Sequence, residues 1–445
     1  MTRPPVDIDT PSDRGTVQTG LPKERAFRTH LLWNYLSFAV VGGCGFLIQF
    51  MIAAFMDAAA LGVFNQVYAC FVVMSQLAVA GVHHSVLKSV AEYPDESSEW
   101  TDAAVSGILL AGILGFLVAA AALSASSLAG AAMDSAEVGI ALSWAAPGLL
   151  FLAINKVCMA VLNGRRMMIA FAAMQAIRPL LLLGFVATAC FLKWPVALLG
   201  AAFTFSEVTL CVVLIAYVLW RLPTHSARNI KHWLRAHASF GFRGALSGLL
   251  MEVNVRVDVL ILGLFVSDAK VGLYSFAAVF MEGLFNLLQV VRTNMNPILV
   301  RLVMEKRIGD LHNIVKRTHR RVYPATTALV LALLGVYPLI VNSLLRNAEF
   351  MKSWPILAIL MFGVVIYSGF VPFDFLLLVG GKPGSHTLLM LVEVGTNVCL
   401  CFVFVRLWGI WGAAAAMSAS AALGALYLNM IVNWRLRFPL LPALR

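Results

Sequence analysis

Charge is what this sequence has least of. Only 12% of its 445 residues are Asp, Glu, Lys or Arg, against about a quarter in an ordinary soluble domain. Hydrophobic residues make up 60% and the mean hydropathy is +0.86, which excludes a typical soluble enzyme. Catalytic signatures are missing too: no nucleotide-binding P-loop, no Gly-rich strand-to-helix turn and no His-Glu-x-x-His pair. The seven cysteines (Cys44, Cys70, Cys158, Cys190, Cys211, Cys399 and Cys401) fall inside apolar runs without metal-ligand spacing, so they read as small packing residues. No metal and no cofactor are expected. A net charge of +11 raises the question of nucleic acid, but the basic residues gather in short loops with no aromatic-interleaved stripe, and nucleic acid is not an expected partner. Residues 1–30, with Pro4, Pro5, Pro11 and Pro22 and no signal-peptide pattern, read as a disordered tail.

What the chain does have is one apolar run after another. A stretch of about 20 apolar residues can cross a ~30 Å hydrocarbon core as a helix. Twelve segments qualify: 32–57, 66–88, 103–126, 138–162, 169–192, 195–220, 240–266, 271–297, 322–345, 355–380, 386–406 and 409–433. The expected fold class is therefore all-α integral membrane with twelve transmembrane helices. With the amino-terminal tail placed in the cytoplasm, 24 of the 33 Lys and Arg fall on that side and 5 on the other. The positive-inside rule then puts both termini in the cytoplasm.

The two halves echo each other. "VLNGRR" (161–166) resembles "LVGGKPG" (378–384), "LLGAAFTFS" (198–206) resembles "IWGAAAAMS" (410–418), and "QVYACF" (66–71) resembles "GLYSFA" (272–277). The offsets of 217, 212 and 206 residues point to a six-plus-six duplication. An even number of spans per half gives both the same orientation, about an axis along the membrane normal. The expected organisation is one lobe at 31–220, a second at 240–435, and a short cytoplasmic tail at 436–445. The basic linker 221–239, with Arg221, Arg228, Lys231, His232 and Arg235, is expected in the headgroup interface against anionic lipid.

An ionisable group inside a span costs roughly 2.5–3.5 kcal/mol on insertion scales, so it needs a partner or a wet cavity. The candidates are Lys156, Arg178, Glu207, Glu252, Arg256, Asp258, Glu282, Arg292, Asp374 and Glu393. The seventh span is the richest. Glu252 and Arg256 stand one turn apart and are expected to pair, with Asn254 and Asp258 as a second i, i+4 pair on another side. A helix polar on two sides belongs inside the bundle. Lys156 and Arg178, two cations in neighbouring spans of a half with few acids, point to a basic cavity for an anionic ligand. Arg178–Pro179 is expected to interrupt its helix. The competing reading for Asp258, Asn254, Glu207 and Glu393 is pairing as glue between helices. For Arg292 and Asp374 it is snorkelling near span ends, and for His83 and His84 it is interfacial placement.

From the seventh span onward the sequence resembles the polysaccharide (O-antigen and exopolysaccharide repeat-unit) flippases of the multidrug/oligosaccharidyl-lipid/polysaccharide exporter superfamily. The matching residues are Arg256, Asp258, Leu262–Gly263 and Val271–Gly272–Leu273–Tyr274–Ser275, followed by "NPIL" (296–299), "NAEF" (347–350), the "GGK" loop (380–382) and "WGIWGAAAAMSAS" (408–420). In the first half the corresponding turn reads Asn65–Gln66–Val67–Tyr68, with no glycine. The resemblance implies two six-helix lobes around a central cavity, as in the multidrug exporters. It also implies ion-coupled alternating access that turns a lipid-diphosphate-linked oligosaccharide across the cell inner membrane for polysaccharide biosynthesis, driven by a proton or sodium gradient. Arg256, Arg178 and Lys156 would attract the diphosphate and Arg292 would guard the cytoplasmic mouth. Glu252, Asp258 or Glu282, with Asn254, Glu207 and Asp374 as further pairing or coupling positions, would exchange partners. Membrane lipids and a polysaccharide polymerase or export complex are the implied partners. Two alternatives stay open: a multidrug exporter of the same superfamily, which would favour an acid-dominated cavity, and a membrane-embedded polymerase or ligase, which would need a large periplasmic loop.

Overall fold

The computed structural model describes residues 24–94, 97–221, 229–305, 307–345, 347–436, 438 and 440, with side chains from residue 39 except 221 and 242–247. Among these there is no strand. The helices are α1 (Glu24–Phe55), α2 (Ala58–Val79), α3 (Val82–Glu92), α4 (Glu99–Ala132), α5 (Ala136–Ala145), α6 (Gly148–Gly164) and α7 (Met168–Phe191) in the first half. The series continues with α8 (Ala201–Arg221), α9 (Ile230–Phe265), α10 (Asp268–Met304), α11 (Ile308–Ile340), α12 (Trp354–Ser368), α13 (Leu376–Val379) and α14 (Pro383–Leu436). Large apolar side chains such as Ile113, Phe116, Leu128, Leu331 and Trp434 point outward, as expected of a lipid-facing surface.

Each of the twelve expected segments contains helix, although the tenth (355–380) is helical as α12 only to Ser368 and then passes through a 3-10 turn at Val371–Phe373 into the four-residue α13. Eight helices among the described residues are long and apolar enough to cross a membrane, nine if the bent pair α5–α6 is one span. The difference from twelve has local causes. The two last expected spans form one 54-residue helix, α14, kinked at Gly409, whose φ of 57° favours glycine. The described apolar part of α1 is only Ala39–Phe55, and α9 carries Glu252, Arg256 and Asp258 within its apolar stretch.

Several boundaries move. The second span begins at Ala58 rather than residue 66, because Asp57 caps α2 by accepting a hydrogen bond from the Ala60 amide at 2.7 Å. It breaks at Ala80–Gly81, both left-handed, before α3. The fourth span bends by 43° between α5 and α6, where Pro147 stands. α7 runs through Pro179 without interruption, contrary to expectation; the proline withholds one helix hydrogen bond but does not break the helix. α1 starts at Glu24, inside the expected tail. Residues 1–23, 222–228 and 441–445, where other parts of the tails and linker fall, lie outside the described residues.

The second part of the basic linker is amphipathic: Lys231, His232 and Arg235 stay exposed while Trp233 and His237 are buried. Residues 230–239 are the opening turns of α9, docked on α3 and α4. Trp233 Nε1 donates to Glu99 at 2.9 Å, the Asn229 amide donates to Asp102 at 3.0 Å, and the fully buried His237 ring contacts Ser85 Oγ (2.8 Å) and the Ala103 carbonyl (3.0 Å).

The halves meet most intimately where α2 crosses α10. A methyl group added at Gly62 would sit 1.9 Å from the Asp268 carbonyl oxygen, and one at Gly272 would sit 1.8 Å from that of Ala58. Only two glycines let the backbones approach so closely. This contact also corrects the repeat register. Gly62–Val63–Phe64 faces Gly272–Leu273–Tyr274, an offset of 210 residues, so the glycine missing at Asn65–Tyr68 is present at Gly62. Around this contact Asp268 accepts hydrogen bonds from Gln66 Nε2 and Ser135 Oγ, both at 2.7 Å. Phe50, Phe276 and Phe280 close the apolar side with edge-to-face contacts.

Candidate functional site

Below the glycine contact the helices diverge around a cavity of about 880 Å³. One wall comes from α1, α2, α3, α6, α7 and α8, the other from α9 and α10. Toward the Gly62–Gly272 contact it is lined by Phe64, Asn65 and Ser275. It runs toward His83, His84, Leu87 and Asn163, beside the loop that carries Arg165 and Arg166.

The first-half wall presents Lys156 from α6 and Arg178 from α7. Arg178 forms a close ion pair with Glu207 of α8 and keeps 40% of its side-chain surface exposed, whereas Glu207 is buried. Glu207 is held from behind by Asn155, whose Nδ2 donates to the carboxylate at 2.8 Å and to the Glu207 carbonyl at 2.9 Å. Asn155 and Lys156 are adjacent on α6, so one turn supplies both the brace for the acid and a cation beside it. Lys156 makes no ion pair within 4 Å among the described residues. It is the cation of this wall without a direct carboxylate partner among the described residues.

The second-half wall is built differently. Arg256 on α9 pairs with Glu282 on α10 at 2.9 Å and lies over the Tyr68 ring of α2, 4.8 Å from its centroid. Its Nε is buried without a hydrogen-bond partner. Asp258 is buried and accepts from the Tyr274 hydroxyl and from the Val259 amide at 2.8 Å. Among the described residues the hydrogen bond of Glu252 is from Gln76 Nε2, at 3.5 Å, a weak contact. Neither expected i, i+4 pair forms. Glu252 does not reach Arg256, and Asn254 turns away from the cavity to accept from Asn397 Nδ2 of α14 at 3.1 Å. The physical reason is geometric competition: partners on neighbouring helices meet these side chains across the bundle, where burial strengthens the interaction, whereas an i, i+4 contact would stay on one helix face.

The cavity as a whole is not basic. Lys156, Arg178 and Arg256 share it with Glu207, Glu252, Asp258 and Glu282. Arg292 and Asp374 lie elsewhere, in a second cluster among α10, the α12–α13 connection and α14. Arg292 stands 3.6 Å from Asp374, donates to Gln289 at 2.8 Å and lies over the Phe375 ring at 4.3 Å. Tyr367 donates to Asp374 at 2.7 Å, and Glu393 keeps one buried oxygen without a partner. Arg292 is thus enclosed by its neighbours and is not among the residues lining the cavity. His83 and His84 do line it, their rings 3.9 Å apart.

Sequence reading passed over the neutral polar lining. Gln49 and Asn65 exchange two hydrogen bonds of 2.8 Å across α1 and α2, and Gln76, Asn155 and Gln175 also face the cavity. The available signal was an amide inside an apolar run, which costs less than a charge but still calls for a partner.

No curated protein is significantly similar in sequence. Among solved structures, the lipid II flippase MurJ in an inward closed conformation superposes with a TM-score of 0.73 at 14% identity, covering 91% of this chain and 87% of that one. An inward-facing multidrug resistance MATE family transporter of the MOP superfamily gives 0.72 at 14% identity, covering 88% and 93%. A MOP superfamily transporter from Pyrococcus furiosus gives 0.62 at 13% identity, covering 91% and 94%. The fold is therefore that of the MOP-superfamily transporters. The family model described as polysaccharide biosynthesis protein matches residues 29–303, more than half of the chain and both walls of the cavity, and the chain belongs to that family.

Proposed function

We propose that this protein is a flippase that carries a lipid-diphosphate-linked oligosaccharide across the cell inner membrane by ion-coupled alternating access. The observation that carries the reading is the cavity itself. It measures about 880 Å³, holds Lys156, Arg178 and Arg256 together with Glu207, Glu252, Asp258 and Glu282, lies between the two halves, and sits in a chain of the polysaccharide biosynthesis family. A sugar-diphosphate headgroup is large and anionic, so it can cross only through a wet space with fixed positive charge. With the lysine- and arginine-rich loops in the cytoplasm, the Gly62–Gly272 contact lies toward the periplasm and the cavity extends from it toward the cytoplasm. Both termini are then cytoplasmic, and the lobes divide as 31–220 and 240–435. Carboxylates that line the cavity and find their partners on another helix, Glu282 and Asp258, are the positions for a coupling proton or sodium ion. In this reading the chain moves its substrate rather than transforming it, which is in keeping with its transporter-like fold. The match to the polysaccharide biosynthesis family, rather than the charge balance of the cavity, favours this reading over a drug exporter.

In cells lacking the gene, lipid-linked glycan should accumulate in the cytoplasmic leaflet and cell-surface polysaccharide should fall to background, both reversed by the intact gene. Normal surface polysaccharide in the deletion strain, with no accumulated lipid-linked glycan, would overturn the reading.

A further inference from the structure

The two cavity walls differ in the charge left over once the ion pairs are counted. On the first-half wall Arg178 is balanced by Glu207, which leaves Lys156 unpaired. On the facing wall Arg256 is balanced by Glu282, Asp258 is tied to Tyr274, and Glu252 is left with one weak amide contact. A lysine and a glutamate therefore line the same cavity without an ion pair within 4 Å among the described residues. Such a cavity is dipolar. Two unpaired opposite charges that could neutralise each other by touching, but are held apart, leave each free to select a different portion of one ligand.

Building on the flippase reading, we infer that the cavity sorts glycans by charge. The diphosphate binds the Lys156 wall, and the sugar portion lies against the Glu252 wall, which accepts neutral, hydroxyl-rich sugars and rejects sugars bearing a carboxylate. The chemistry is direct. A carboxylate accepts two hydroxyl hydrogen bonds from a neutral sugar, whereas a uronic acid in the same place sets two anions side by side in a poorly screened space. The neutral lining residue Gln76, beside Glu252, can bond hydroxyls of any sugar. It adds affinity without discrimination, so the sorting rests on Glu252.

The test uses the purified full-length chain and three soluble probes: farnesyl diphosphate, farnesyl diphosphate bearing N-acetylglucosamine, and farnesyl diphosphate bearing glucuronic acid. Dissociation constants are read by calorimetry. The glucuronic acid probe should bind about tenfold more weakly than the N-acetylglucosamine probe. In Glu252→Gln that ratio should fall toward one, and Glu252→Asp should retain it. Lys156→Gln should weaken all three probes by a similar factor. If the three probes bind, depend on Lys156, and show no preference between the two sugars, the sorting inference is overturned while the flippase reading stands. A preference that persists unchanged in Glu252→Gln also overturns it. If no probe binds saturably, the flippase reading fails and this inference with it.

Discussion

Two buried polar clusters sit in the same apolar molecule and use the same residue types. Around the central cavity an arginine (Arg256), a glutamate (Glu282), a tyrosine (Tyr68) and further acids face open space. In the second-half cluster an arginine (Arg292), an aspartate (Asp374), a tyrosine (Tyr367) and Glu393 are packed against Phe375 and one another. Each has an ion pair, a ring beside the guanidinium and an acid left over. The difference is the surroundings. In the first cluster, helices from both halves meet and then diverge, so breaking a pair frees a charge toward a ligand. In the second, all the helices come from one half, and a freed charge has nowhere to go but its own neighbours. An ionisable residue in a span thus marks a functional site only when the helices beside it leave room for something else.

The sharpest way to break the comparison is to remove the contact beside which the first cluster's cavity opens. Gly272→Leu would drive a side chain into the Ala58 carbonyl, since even a Cβ would lie 1.8 Å from it. Surface polysaccharide should fall to background while the Arg292 cluster, distant from the contact, is undisturbed. Export at normal levels would show that the α2–α10 contact is dispensable.

Paired neutralisation comes next. Arg256→Gln or Glu282→Gln alone leaves its partner uncompensated, a state that costs about 3–5 kcal/mol when fully buried and less here, with Glu282 a third exposed. The double variant should recover protein level yet remain inactive for export, because the cavity has lost a ligand-facing cation. The corresponding double change Arg292→Gln with Asp374→Asn should recover both level and export. Recovery of export in the first pair would return Arg256 to a structural role; continued failure in the second would place Arg292 and Asp374 in the transport cycle.

A single charge without a direct partner should have a smaller effect. Lys156→Gln removes no ion pair, so protein level and melting temperature should hold while export falls about tenfold, the factor expected for loss of one charge–phosphate contact worth ~1.4 kcal/mol. A melting temperature lowered in step with export would contradict the unpaired assignment. Smallest of all, Tyr367→Phe deletes the 2.7 Å hydrogen bond to Asp374. It should cost about 1 kcal/mol of stability, read as a modest drop in melting temperature, with export unaltered.

The apolar runs, the helical class and the charged seventh span were legible from residue order, because a 20-residue apolar stretch has few ways to satisfy its backbone in a membrane. Motif spacing carried the likeness to polysaccharide flippases from Arg256 to Ser275. The i, i+4 rule, by contrast, paired Glu252 with Arg256 and Asn254 with Asp258, and the bundle supplied Glu282, Asn397 and Tyr274 instead. Gly62 went unnoticed because its meaning is a backbone approach from a helix 210 residues away. Local sequence determines which segments become helices and what each carries, since helix hydrogen bonds close within four residues. Which charges neutralise each other, and which are left facing a cavity, was decided only by tertiary packing, because those contacts depend on distances between helices that no local pattern encodes.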